Sequence, residues 1–153
     1  MSLDGSYDHS NVFARILRGE LQCIKVYEDL RTLAFMDKRP RSEGHVVVVS
    51  KSSVARNILE IEPAELTDLI VVVQMVARAA STALHPDGII VGQLNGRAAG
   101  QTIQHLHFHM IPTWKGQLLK GLGSGDEVEP GRLRELAGRI GRAMQTAVRT
   151  PYF

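Results

Sequence analysis

Apolar and polar positions along the chain follow two periods, one typical of helices and one typical of strands. Between positions 63 and 84 the apolar residues recur every three or four positions after an initial proline, which predicts a long amphipathic helix. "NVFARILRGE" places its apolar residues on one helical face and ends near Gly19, which predicts a short first helix. A last helix is expected at about 130–147, with apolar residues on one side and arginines on the other.

Five segments alternate in part or are β-branched throughout, and they predict strands at 23–29, 31–37, 45–50, 89–94 and 102–112. The first two are expected to form a hairpin around Asp29. "HVVVVS" (45–50) is a continuous β-branched run, so it is expected at the sheet centre with both faces covered. Pro112 is expected to end the last strand. Strands in series with few helices predict an α+β fold with a mainly antiparallel sheet.

Length and composition favour one globular domain. The chain has 153 residues, of which 44% are hydrophobic and 22% charged. We expect a single domain over 11–153 that includes the C-terminal helix. The polar start, 1–10, is expected to be disordered or vector-derived.

Charge and cysteine content exclude several classes of function. The formal net charge of +2, with scattered Lys and Arg, gives no electrostatic case for nucleic-acid binding. No apolar run of signal-peptide length opens the chain, and we expect no membrane association. Cys23 is the only cysteine, which excludes an intrachain disulfide and suits a reducing cytoplasm.

Three histidines at alternate positions are the strongest chemical signal in the chain. In "HLHFHM" (105–110), His105, His107 and His109 would share one face of a strand, and the apolar residues between them would share the other. A lone histidine is usually a core residue, but three in register disfavour their all being charged and split their pKa values. Such splitting lets one imidazole act as a nucleophile and another as a proton donor.

A metal site is a rival interpretation, since imidazole is a common zinc ligand. Three positions in alternation span roughly 13 Å along a strand, so all three cannot easily reach one ion. A catalytic zinc would also need a further ligand and a general base, and no obvious cluster supplies them.

The loop before the histidines has donors that suit a phosphate. "AAGQT" contains Gly100, which can expose backbone N–H groups, followed by Gln101 and Thr102. Alone it would be an ordinary turn, but its adjacency to the histidines favours a phosphate-binding loop.

"AAGQTIQHLHFHMIP" resembles the signature of the histidine triad (HIT) superfamily, in which three histidines alternate with apolar residues. "NVFARILRGEL" and "KVYEDLRTLAFMDKRPRSEGHVVVVSK" are similar to the N-terminal half of Hint-like bacterial members. The resemblance covers roughly 11–113. It implies a HIT-like α+β fold and a hydrolase or transferase acting on a nucleoside 5′-phosphate joined to a leaving group through P–N or P–O.

The same resemblance implies catalytic roles for four histidines. His107 would attack the α-phosphorus and hold a nucleotidyl-imidazole intermediate that water hydrolyses. His109 would bind phosphate and transfer a proton, His105 would orient the nucleophile, and His45 would complete the group. No metal or other cofactor is implied.

The resemblance also implies a nucleotide site. Asp37 would accept hydrogen bonds from the ribose hydroxyls. Gly100, Gln101 and Thr102 would hold the phosphate. Four apolar residues would enclose the base, although core packing explains them equally well: Val12, Phe13, Ile16 and Phe35.

Several positions depart from the family pattern. Leu94 stands where Asn or Gln is common beside the phosphate, and the adjacent Asn95 is a candidate contact that would point the other way on a strand. Lys38 replaces an apolar base contact and could meet a phosphate or a second nucleotide. Trp114 lies close to the position where bacterial relatives often carry Arg.

Two further features concern metal and assembly. Some relatives bind structural zinc through N-terminal cysteines and a later histidine, but this chain has no such cysteine pair and has Ser53 in that region, so no zinc is expected. Hint-like relatives are homodimers with a sheet continuous across a two-fold axis, and the resemblance implies the same here.

Four functions are therefore considered. A purine nucleoside phosphoramidate hydrolase is the leading hypothesis, and a dinucleoside polyphosphate hydrolase is the alternative within the same chemistry. A non-catalytic nucleotide- or partner-binding module and a metal hydrolase are alternatives from other classes. A uridylyltransferase-like function is disfavoured, because that branch has proline between the catalytic histidines and this chain has Leu106.

Overall fold

The computed structural model describes residues 3–149, in which five strands form one antiparallel sheet. The helices are α1 (Val12–Leu17), α2 (Pro63–Leu84) and α3 (Pro130–Arg149). The strands are β1 (Lys25–Glu28), β2 (Thr32–Met36), β3 (Val46–Ser50), β4 (Gly88–Gly92) and β5 (His107–Thr113), in the order β1-β2-β3-β5-β4. The predicted α+β class with an antiparallel sheet is confirmed.

The sheet has two different faces. Because side chains alternate along a strand, Ala34, Val48 and Phe108 point to one face and pack against α2 and α3 in the main core. The opposite face carries a smaller apolar cluster that includes Phe35 and Val47 and is partly covered by α1. β3 lies at the centre with every residue buried, as its β-branched run predicts.

The predicted helix at 63–84 has the same bounds in the structure. Its inner side packs in the core through residues such as Leu69, Val73 and Val76. Ile70 and Val71 on its outer side are exposed. By length and composition alone, α2 could cross a membrane. In this fold, one side of the helix packs in the core.

Turn chemistry explains the hairpin that joins β1 and β2. One carboxylate oxygen of Asp29 accepts hydrogen bonds from the backbone N–H groups of Arg31 and Thr32, both at 2.8 Å. The predicted turn at Asp29 is therefore confirmed.

The N-terminal segment, defined as residues 3–10, differs from the expected disorder. The Leu3 carbonyl accepts hydrogen bonds from Arg56 at 2.7 Å and Asn57 at 3.1 Å, and the His9 carbonyl accepts one from Arg18 at 2.7 Å. Polar composition cannot reveal such contacts, because their partners lie elsewhere in the chain. Residues 1–2 and 150–153, at the ends of the predicted ranges, lie outside the described part.

Candidate functional site

Four histidines meet on the sheet face opposite α2 and α3. His107 and His109 lie on β5, opposite Val49 and Val47 of β3. His45 comes just before β3, and His105 comes just before β5. The four residues are almost completely buried, with exposed fractions between 0% for His45 and 8% for His109. The structure thus brings together all four predicted catalytic residues.

The strand that carries the histidines is shorter than predicted. β5 begins at His107, so His105 lies in the preceding loop rather than on the strand. β3 pairs no further than Val49 with His107, and the Leu106 N–H instead donates to the Ala55 carbonyl at 2.9 Å. Without a strand partner, the chain leaves the sheet there. β5 does not end at Pro112, as predicted, but continues to Thr113. The last residue of β5 that pairs with β3 is Met110, so the N–H that Pro112 lacks is not needed for a bond to β3.

One hydrogen bond determines which nitrogen of His107 carries the proton. His107 Nδ1 lies 2.6 Å from the backbone oxygen of His105. A carbonyl oxygen only accepts, so Nδ1 must be the protonated nitrogen of the ring. In the neutral ring, Nε2 of His107 is therefore left with a free lone pair.

A second chain of hydrogen bonds orients His109. The Arg41 backbone N–H donates to Nδ1 of His45 at 3.2 Å, so the proton of neutral His45 is on Nε2. Nε2 of His45 lies 2.9 Å from Nδ1 of His109 and donates to it. His109 consequently carries its own proton on Nε2, where it is available as a donor.

Burial keeps all four imidazoles uncharged at neutral pH. Desolvation lowers the pKa of His45 to about 3, aided by the cationic Arg41 and by His107. Desolvation also lowers the pKa of His105, His107 and His109 to about 4, with a smaller contribution from a neighbouring imidazole in each case. A neutral His107 is competent as a nucleophile, and a neutral His109 keeps one donor.

Asp37 lies beside this group at the end of β2. One of its carboxylate oxygens accepts the Arg39 N–H at 2.8 Å, and the other is 3.6 Å from Nδ1 of His45. Its side chain remains 21% exposed. The negative charge opposes the fall in pKa of His107 and His109. Asp37 therefore has an oxygen available to a ligand at the edge of the histidine group.

The predicted base-binding residues divide into two groups. Phe13 makes edge-to-face contacts with Phe35 at 5.4 Å and with His107 at 4.9 Å, measured between ring centroids. Both phenylalanines are buried in the small apolar cluster. Val12 is exposed and Ile16 is half-buried on the same helix. Phe13 and Phe35 therefore support the histidines, while Val12 and Ile16 offer apolar surface to a ligand.

The predicted phosphate loop is only partly available. The Gly100 N–H donates to Arg97, and the Gln101 N–H to Gly96. The buried Gln101 amide accepts from the Gly96 N–H at 2.8 Å and donates to the carbonyls of Arg56 and Ile103. The prediction is thus corrected for the Gly100 amide and for Gln101, whose donors are already used to shape the loop. Thr102 is exposed, and its hydroxyl stays a candidate.

The other predicted substrate contacts lie at the margin. Asn95 follows β4 rather than lying on it, and its amide bonds Gln93 and the backbone N–H of Ile58. Lys38 is exposed, with its ammonium 3.6 Å from Glu127. Neither residue touches the histidines directly. Half-buried Leu94 packs beside Gly100, and half-buried Trp114 packs against the main core.

Asp37, His45 and His109 are the group within residues 3–149 whose spacing could suit a metal, with donor atoms within 4.8 Å of one another. The two imidazole nitrogens are 2.9 Å apart, and the ring centroids are 5.1 Å apart. The centroid separation exceeds the nitrogen separation by about two ring radii. The two nitrogens therefore point at each other, with one proton between them. As arranged, their lone pairs do not converge on an ion.

Two contributors were missed by sequence analysis. The Tyr7 hydroxyl lies 2.6 Å from Nδ1 of His105. Arg41 lies close enough to lower the pKa of both His45 and His109. The basic residues of "DKRPR" (37–41) could have indicated Arg41. Nothing in the local sequence around Tyr7 indicated a contact with His105.

A separate cavity of about 200 Å³ lies at the other face of the sheet. Its lining includes Thr32, Ser50 and the first turns of α2, with the Arg31–Asp68 ion pair at its edge. It contains no histidine. The histidine group, rather than this cavity, is therefore the candidate functional site.

Comparison with known proteins relates this chain to one protein family. The sequence profile of the HIT domain matches residues 18–116. An adenosine 5′-monophosphoramidase of Schizosaccharomyces pombe, hnt1, is 36% identical over 116 residues, covering 76% of this chain and 82% of that protein. An adenylylsulfatase of Arabidopsis thaliana, HINT3, is 36% identical over 101 residues, covering 66% of this chain and 51% of that protein.

A solved structure shares the fold over most of the chain. The Hit-like protein of Bartonella henselae is 38% identical and has a TM-score of 0.86, with 91% of this chain and 99% of that chain covered. The resemblance noted from the histidine motif therefore extends to nearly the full chain.

Proposed function

Because this chain belongs to the HIT domain family, we propose that it is a hydrolase that cleaves a nucleoside 5′-phosphate from its leaving group through a nucleotidyl-His107 intermediate. The observation that carries the proposal is the 2.6 Å hydrogen bond from Nδ1 of His107 to the His105 carbonyl. That bond leaves Nε2 unprotonated and fixes the ring. The monophosphoramidase hnt1 supports the reaction class.

In the first step, Nε2 of His107 forms a bond to the α-phosphorus as the bond from phosphorus to the leaving group breaks. For a phosphoramidate, the bound anionic phosphate raises the pKa of His109, so that this ring enters the step protonated on both nitrogens. The departing nitrogen keeps the electron pair and takes the Nε2 proton, which leaves His109 neutral. His107 becomes cationic, and the His105 carbonyl stabilises that charge through the Nδ1 proton.

In the second step, water forms the new P–O bond as the bond from phosphorus to His107 breaks. His109, now neutral and unprotonated at Nε2, accepts the proton of the water and returns to the protonated form in which it entered the first step. Asp37 binds the ribose hydroxyls in this scheme, and Val12 and Ile16 contact a purine base. The products are a nucleoside monophosphate and an amine.

The test uses an adenosine phosphoramidate bearing a fluorescent amine, without added metal. We expect turnover by the wild type, an adenylyl adduct detectable by mass after acid quench, and a fall on the order of 10³-fold or more for His107→Ala. The control is His85→Asn, which replaces an exposed histidine at the end of α2. A folded wild type that binds AMP without turnover would favour a binding module instead. Loss of activity with chelator would favour a metal hydrolase.

A specific observation favours a second substrate class, in which the leaving group is anionic, as in dinucleoside polyphosphates. The loop after Asp37 carries Lys38, Arg39 and Arg41. Glu127 pairs with the first two, at 3.6 and 3.2 Å. Arg41 has no carboxylate partner within the described residues; its Nε donates to the Lys120 carbonyl at 2.6 Å. An unneutralised cation beside His45 and His109 suits a phosphate or sulfate leaving group better than a lysine amine. The adenylylsulfatase HINT3 belongs to this class by name.

The comparison of two substrates distinguishes the classes. For Arg41→Gln we expect kcat/KM to fall about tenfold or more for diadenosine polyphosphate and to change little for the neutral-amine phosphoramidate. Arg15→Gln is the control, since Arg15 pairs with Glu20 on exposed surface. If kcat/KM falls equally on both substrates, Arg41 acts on the histidine group and does not select the leaving group.

A further inference from the structure

The N-terminal segment reaches the histidine group through Tyr7. The phenol oxygen lies 2.6 Å from Nδ1 of His105, and the two rings meet edge to face with centroids 5.8 Å apart. His105 itself is almost fully buried, at 1% exposed. Nothing in the HIT motif includes Tyr7, which lies 98 positions before His105.

The direction of this hydrogen bond follows from the other partner of His105. The ring also has a hydrogen bond with the Ser50 backbone that favours its protonated form, so the imidazole is the donor there. A neutral ring that donates to Ser50 must accept at its other nitrogen. Tyr7 is therefore the donor, and His105 is held with its proton on Nε2.

His105 in turn positions His107 through its backbone carbonyl, which accepts the Nδ1 proton of the nucleophile. β5 begins only at His107, so no strand pairing holds His105 in place. Its ring is anchored by Tyr7 on one side and by Ser50 on the other. The conformation of the carbonyl that orients His107 thus depends on a side chain from the start of the chain.

The segment that carries Tyr7 is itself anchored on both sides. The Leu3 carbonyl accepts hydrogen bonds from Arg56 and Asn57, and the His9 carbonyl accepts one from Arg18. The His9 ring packs edge to face on Tyr7, with centroids 4.9 Å apart. These contacts hold the phenol against His105 as a defined part of the structure.

We propose that Tyr7 is a positioning residue for the reaction, which fixes the neutral tautomer of His105 and through it the orientation of the His107 nucleophile. The kinetic part of this inference rests on the proposed function. Tyr7 makes no contact with the reacting nitrogen of His107. It acts through His105.

The variant Tyr7→Phe keeps the ring and removes the donor. We expect kcat to fall about threefold to tenfold with KM nearly unchanged, the size expected for one lost hydrogen bond. The Tyr7 hydroxyl favours neutral His105, so its removal raises the pKa of His105, and protonated His105 disfavours the charge that develops on His107. The acid limb of the kcat profile should therefore move up by about 0.5–1 pH unit.

A second measurement does not depend on turnover. Long-range ¹H–¹⁵N spectra of the imidazoles, assigned with a His105→Gln variant, should show the Nε2–H tautomer of His105 in the wild type. In Tyr7→Phe only the bond to Ser50 still favours that tautomer, so the population of the Nδ1–H tautomer should rise. The control is Tyr27→Phe, which removes a hydroxyl that donates to Asp29 at 2.9 Å on β1, away from the site. It should leave both the spectra and the kinetics unchanged.

The two readouts separate the two proposals. Wild-type turnover with Tyr7→Phe indistinguishable from Tyr27→Phe in kcat, acid limb and tautomer would overturn the positioning role. Absence of wild-type turnover on any nucleotide substrate, together with the expected change in His105 tautomer, would sink the hydrolase proposal and leave the structural part of the inference standing.

Discussion

Four histidines are buried in their uncharged forms, and the free energy of unfolding therefore depends on pH. They are His45, His105, His107 and His109. In the unfolded chain each imidazole binds a proton near pH 6.5, but in the folded chain burial lowers the pKa to about 3 for His45 and about 4 for the others. The unfolded state thus binds more protons between these values. Stability is fully present above about pH 6.5 and is lost as the pH falls toward 4.

Urea unfolding measured from pH 7.5 to 4.5 tests this expectation. Each histidine contributes at most about 1.4 kcal/mol per pH unit to the loss. The His45→Gln variant removes one of the four groups, so its free energy of unfolding should fall less steeply with acid, by up to that amount per unit. A wild-type free energy of unfolding that stays constant between pH 7 and 5 would contradict the assignment of buried neutral imidazoles.

At the same residue scale, the sequence could offer His107 as a candidate nucleophile but could not predict its protonation state. Alternation in "HLHFHM" indicated that His107 and His109 share a face, and the structure has them so. The tautomers depend on the carbonyl of His105 and the N–H of Arg41. Those backbone atoms take their positions only in the folded chain.

At the scale of elements, the loop between β4 and β5 is held by one side chain. The Gln101 amide bridges Gly96, Arg56 and Ile103 and is 2% exposed. It ties the loop before the histidines to the loop after β3. We infer that Gln101 holds the loop that leads to His105, because its amide groups are used within the protein and are not available to a phosphate.

Replacing Gln101 with Leu keeps similar volume but leaves buried polar groups unpaired. We expect a loss of about 2–4 kcal/mol in the free energy of unfolding, together with reduced activity. Calorimetry or urea unfolding measures the first effect. Gln145→Leu, an exposed position on α3, is the control and should stay within about 0.5 kcal/mol. If the free energy of unfolding of Gln101→Leu equals that of the wild type, Gln101 is again a candidate for binding phosphate.

Elements and ends that local signals determine were predictable, whereas ends that depend on pairing with a distant strand were not. α2 has its predicted bounds, because its 3.6-residue period and initial proline are local signals. β5 starts five residues later than predicted, at His107 instead of 102, because its start is decided by where β3 stops pairing. The contacts of the N-terminal segment were also beyond local signals, since Arg56 lies 53 positions from Leu3.

At the scale of the whole molecule, two apolar surfaces are left uncovered by residues 3–149 of a single chain. Within the described part of the chain, β4 pairs with β5 at one edge and has no strand at its other edge. Its residues Ile90 and Val91 are 38% and 47% exposed. Ile70 and Val71 on α2 are also exposed. We propose, in line with the dimer expected from sequence, that two copies associate through the β4 edge and α2.

Sedimentation equilibrium tests the dimer. We expect a dimer for the wild type and a dissociation constant raised at least about tenfold for the double variant Val71→Glu and Val91→Glu. Leu118→Glu is the control, since Leu118 is an exposed apolar residue on the loop before α3. A monomeric wild type at micromolar concentration would rule the assembly out.

The residues that meet at the histidine group are far apart in the order of synthesis. Tyr7 and His105 are separated by 98 positions, and His45 and His109 by 64. At ribosomal rates of about 5–20 residues per second, Tyr7 waits roughly 5–20 seconds for its partner to be made. The residues of β1 to β3 are made long before those of β5 can pair with them, so the proposed nucleophile cannot be oriented until the histidine motif has left the ribosome.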